Sequence, residues 1–69
     1  MNMKLRDAIS IVTGPPEEVT EEALSVVGMA LESPEAKGSV FEIAKTLHPL
    51  VVVGLKRFCN FDELMNLKV

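Results

Sequence analysis

Proline and glycine cut this chain into pieces that leave room only for small elements. Gly14-Pro15-Pro16 ends whatever precedes it, because proline has no N–H to continue a helical ladder and its ring collides with the preceding turn. Ser33-Pro34 and Gly38 bracket a second break, which reads as a cap, a single turn and a stop. Pro49 makes a third by pushing His48 out of helical geometry. Between the breaks, apolar residues recur at the spacing of one helix face. That spacing predicts a helix from Met1 to Thr13, with Leu5, Ala8, Ile9 and Val12 on one stripe. It predicts a second from Pro16 to Ser33, carrying Val19, Ala23, Val26, Val27 and Ala30 and widened by Leu24 and Leu31. Pro16 suits a first turn, and Glu17, Glu18, Glu21 and Glu22 complement the positive end of the helix dipole. Gly28 costs about 1 kcal/mol relative to alanine in mid-helix, so it either permits a close crossing or is simply tolerated.

A third helix is expected from Ser39, which forms a capping-box pattern with Glu42, and its inward stripe is Val40, Ile43, Ala44 and Leu47. The stretch from Pro49 to Cys59 reads in two ways. As a helix it has Pro49 in the first turn and Lys56 and Arg57 near the C-terminus, and it is apolar all round through Leu55, which implies a buried central helix. As a strand, the run Leu50-Val51-Val52-Val53 is suitably β-branched, but a lone strand needs a partner and the candidate is Ile9 to Thr13. Helical neighbours favour the helix. Asn60 and Glu63 repeat the capping spacing ahead of a last short helix with Phe61, Leu64, Met65 and Leu67 apolar. The expected fold is all-α, a compact bundle of four to five short helices in one domain over residues 1–69. The alternative is an α+β fold with a short strand around 50–55, completed by a second chain.

Such a domain has little to stabilise it. A chain of 69 residues buries only about 60% of the surface its unfolded form exposes, and small domains often compensate with disulfides, a metal or association. Cys59 is the single cysteine and His48 the single histidine, so no internal disulfide and no Cys/His zinc site can form within one copy. The apolar fraction is 48%, and counting its four glycines as well carries it past the roughly 45–50% usual for globular domains. Some of these side chains should remain at the surface, either as an interface or as the ordinary exposure of valine and leucine.

Charge is unevenly spread. The net charge is −3, which argues against general nucleic-acid affinity. Residues 14–35 carry Glu17, Glu18, Glu21, Glu22, Glu32 and Glu35 with no lysine or arginine, whereas 36–58 carry Lys37, Lys45, Lys56 and Arg57 against Glu42 alone. Such polarity could steer antiparallel self-association or recognition of a basic partner, or the acidic run could simply be a solvated helix start.

Chemistry-bearing patterns are sparse. Nucleophilic catalysis would need Cys59 activated by His48, with nothing visible to orient the base. Cys59 fits a small buried hydrophobe better, and His48 fits a helix end, where a cation near the last carbonyls is worth about 0.3–1 kcal/mol. The carboxylate pairs Glu17/Glu21 and Glu18/Glu22 read as an exposed face of a helix start, and there is no D-x-D-x-D-G loop for a cation. Gly14-Pro15-Pro16 lacks the donors and the G-K-[ST] of a phosphate cradle. No catalytic residue, metal ligand or cofactor is therefore expected. The N-terminal residues show no signal-peptide pattern, and an apolar run such as Leu50 to Leu55, which no other exceeds, is far short of the roughly 20 residues that span a bilayer. A single unpaired thiol suits a reducing, cytoplasmic setting.

Glu42-Ile43-Ala44-Lys45-Thr46-Leu47 resembles the first helix of many bacterial helix-turn-helix DNA-binding proteins, where E-I-A-x-x-L is common. The resemblance covers those six residues and implies a nucleic-acid-binding regulator whose next helix enters the major groove. The next positions depart from the pattern: His48-Pro49 stands where the family has a glycine-containing turn, and Leu50-Val51-Val52-Val53 offers bases no polar contact before Lys56.

The reading these residues support best is a small non-enzymatic protein-interaction or regulatory module, as a homo-oligomer (a dimer) or bound to a protein partner through apolar helix surface. Candidate contacts are the residues hardest to place in a tiny core, Phe41, Val51, Leu55, Phe58 and Phe61, with Lys56 and Arg57 on the rim. At least half of these are expected to be core.

Overall fold

The computed structural model describes residues 3–35 and 38–68, with side chains through residue 66. The fold is a small all-α bundle: α1 (Leu5–Val12), α2 (Glu21–Glu32), α3 (Gly38–Lys45), α4 (Pro49–Leu55) and α5 (Phe61–Lys68), with one 3₁₀ turn at Pro16–Glu18 between α1 and α2. No strand occurs among the described residues, so the stretch 50–55 is helical and the α+β alternative does not apply.

α2 is the hub. It packs along α1 and also touches α4 and α5, while α3 rests chiefly on α5. Ala23, Leu24, Val27, Gly28 and Leu31 are its buried positions, a stripe wide enough to serve three neighbours. Around it the core collects Ala8 and Val12 of α1, Phe41 and Ala44 of α3, Leu47 of the following turn, Val51 and Leu55 of α4, then Cys59 and Phe61. Among the described residues no polar or charged side chain is buried, so packing is almost wholly apolar.

The second helix begins five residues later than its apolar spacing predicts. Pro16 does sit in a first turn, but that turn is a 3₁₀ turn ending at Glu18, and Val19 and Thr20 are extended, with ψ of 129° and 158°. Thr20 then caps α2, its hydroxyl oxygen accepting from the Ala23 N–H at 3.2 Å. The four glutamates are thus divided between two elements, and Glu17/Glu21 and Glu18/Glu22 share no helix face. A capping threonine ahead of two glutamates starts a helix as well as a proline does, and periodicity alone does not separate the two starts.

α3 also starts differently. It opens at Gly38, which places Ser39 inside the helix rather than at its cap, and Glu42 reaches forward to Lys45 at 3.4 Å. The capping box expected from Ser39 and Glu42 is therefore not the device used. Its buried positions are Phe41 and Ala44, with Val40 and Ile43 half-buried, so the inward stripe is rotated toward Phe41. The helix ends before Pro49 with hydrogen bonds that tighten it, Thr46 N–H to Ile43 O at 3.0 Å and Leu47 N–H to Ala44 O at 3.4 Å.

His48 belongs to the next helix. It is the N-cap of α4, its Nδ1 accepting from the Leu50 N–H at 3.0 Å, with Pro49 in the first turn. His48 thus serves the start of α4 through Nδ1 rather than the end of the helix before it. Asn60 likewise precedes α5, and its neighbourhood ties two helices together. The Asn60 N–H donates to Glu32 Oε2 at 3.2 Å, and its side-chain amide donates to Glu63 Oε2 at 2.6 Å. Glu32, the last residue of α2, thus takes the backbone donor that Glu63 would take in a capping box.

Gly28 is a contact point. A Cβ there would lie 3.0 Å from the Phe58 Cβ and 3.3 Å from the Phe58 carbonyl oxygen, so α2 meets the turn after α4 almost backbone to backbone. Gly54, on α4, faces the Leu24 side chain in the same way, at 2.9 Å from its Cδ1. The glycines let α4 and its exit turn lie close against α2.

Candidate interaction face

α4 packs on α2 with one face, and this decides what the other face can do. Val51 and Leu55, one turn apart, point into the core at 3% and 0% exposure. Leu50 and Val53, also a turn apart, are 68% and 64% exposed, and Val52 is half-buried between the two faces. The expectation of a helix buried all round is thereby corrected. A chain this small has too few elements to wrap a helix on every side, so an all-apolar helix leaves a stripe in water. Met29 on α2 is exposed to a similar degree, 70%. α4 itself, Pro49-Leu50-Val51-Val52-Val53-Gly54-Leu55, carries no ionisable or hydrogen-bonding side chain.

The charges beside this helix are engaged. In the turn that follows, Lys56 Nζ lies 3.3 Å from Asp62 Oδ2, and Arg57 donates to Glu21 Oε2 at 3.0 Å. Arg57 also stands over the Phe58 ring, 5.6 Å from its centroid. One ion pair, Glu21 with Arg57, thus joins the acidic and basic stretches seen in the sequence inside one copy.

Of the seven residues singled out from sequence, Phe41, Val51, Leu55 and Phe61 are core, each at 8% exposure or less. They fill the interior of this copy, because so small a bundle takes its largest apolar side chains into the core first. Phe58 is half-buried against the core, and Lys56 and Arg57 are exposed. The exposed apolar side chains of α4, Leu50 and Val53, were not among the seven. The sequence signals only that a seven-residue helix docking on one neighbour shows one such pair to solvent; which pair it is follows from the packing.

An open depression of about 410 Å³ lies at the α4–α5 turn, lined by Lys56, Arg57, Cys59, Asn60, Phe61 and Asp62. Cys59 is buried there, its Sγ 3.7 Å from the Leu55 carbonyl oxygen. Burial, and then the negative charge of Glu32, push its thiol above the usual range, which lowers the thiolate fraction a nucleophile needs. His48 and Cys59 are each hydrogen-bonded within their own helix end and not to one another. No group of three or more His, Cys, Asp or Glu side chains converges among the described residues. No described helix is long and apolar enough to cross a membrane. Comparison with family models, with curated proteins and with solved structures finds no match.

Proposed function

We propose that this protein is a small non-enzymatic interaction module that self-associates through the exposed face of α4. The observation that carries the reading is the pair Leu50 and Val53, about two-thirds exposed on a helix without a single polar side chain. A second copy is the occupant the chemistry favours. The face holds no charge, so two copies can meet across a two-fold axis without opposing like charges, in spite of a net charge of −3. The flanking Lys56 and Arg57 are paired with Asp62 and Glu21, so neither of them calls for a charged partner.

The strength of such a contact follows from its size. Covering a whole leucine or valine side chain gains about 1.5–3 kcal/mol. At two-thirds exposure, Leu50 and Val53 from both copies contribute roughly 4–8 kcal/mol together. Bringing two molecules together costs about 4–15 kcal/mol. At the most favourable ends of these ranges the balance is about −4 kcal/mol, so association through this face alone is weak, with a Kd of about a millimolar at best.

Nucleic-acid recognition has no comparable observation behind it. A recognition helix needs polar groups to meet base edges, and α4 has none; α3, which carries the Glu42–Leu47 motif up to Lys45, rests chiefly on α5. The test is sedimentation equilibrium on the wild type and on Leu50→Asp and Val53→Lys. The wild type should show reversible self-association, and both variants should stay folded by circular dichroism yet sediment as monomers. A monomeric wild type at every concentration would overturn the proposal.

A further inference from the structure

We draw no further inference here: the strongest candidate, the open depression between the α4–α5 turn and the first turn of α5, rests on a helix N-terminus and a lone buried cysteine, and its Lys56 and Arg57 are already paired with Asp62 and Glu21.

Discussion

Replacing Gly28 by alanine sets two effects of known sign against each other. Alanine is better than glycine inside a helix by about 0.8–1 kcal/mol, so at an open site the change would stabilise α2. At Gly28 the new Cβ would lie 3.0 Å from the Phe58 Cβ and 3.3 and 3.4 Å from its carbonyl oxygen and carbon. None of these is the swinging tip of a side chain. Phe58 is also held by its N–H to the Leu55 carbonyl at 2.9 Å, so relief requires moving the turn as a unit. Overpacking of this kind costs about 1–3 kcal/mol. The net expectation is a loss of about 1 kcal/mol, or roughly 0.5–1 M in the urea midpoint at the m-value of a small domain. Two other glycines act as controls. A Cβ at Gly54 meets the Leu24 side chain, closest at its Cδ1 tip at 2.9 Å, and one at Gly38 meets nothing within 4 Å. Urea melts followed by circular dichroism should therefore rank the alanine variants with Gly38 the most stable, Gly54 next and Gly28 the least. A Gly28→Ala protein as stable as the wild type would refute the close approach of α2 to the Phe58 turn.

Further consequences can be checked on the same material. Thr20→Ala removes the hydroxyl that accepts the Ala23 N–H and should cost about 0.5–2 kcal/mol in urea melts, with Thr20→Asp restoring most of it. A double-mutant cycle on Arg57 and Glu21, both largely exposed, should give a coupling of only about 0.2–1 kcal/mol that fades with added salt. Because burial raises the Cys59 thiol above its ordinary value of 9.0, the unfolded chain loses that proton first as pH rises. The thiol's contribution to stability is thus complete below pH 9.0 and declines above it, and Cys59→Ala should flatten that alkaline slope in thermal melts. The same burial should make alkylation of Cys59 in the folded protein slower than in urea; an equal or faster native rate would contradict it.

Much of the architecture is legible in the sequence because prolines and glycines act locally. Gly14-Pro15-Pro16 and Pro49 fall where the chain breaks, and five helices follow from the apolar spacing between the breaks. The boundaries are harder to read. Thr20 and Pro16 both suit helix starts, and the apolar spacing does not choose between them; the structure starts α2 after Thr20. His48 shows the same limit: between two helices, a residue can serve the end of one or the start of the next, and only the Nδ1 geometry distinguishes them. The candidate face was the least legible part. Phe41 and Phe61 attract notice as interface anchors, yet a bundle this small needs their volume inside. Leu50 and Val53 look identical to Val51 and Leu55 in composition, and their difference arises only once Gly54 has turned one side of α4 against Leu24.

The central claim is that copies of this protein meet through α4. The most direct test is a dilution series of two-dimensional ¹⁵N–¹H NMR spectra from about 5 mM to about 100 μM, a range that brackets the roughly millimolar affinity expected of so small a face. Concentration-dependent shifts are expected at Leu50, Val53 and their immediate neighbours, and are expected to be absent from a Val53→Lys protein. Superimposable spectra across the series, or shifts centred on another surface such as Met29, would contradict that claim.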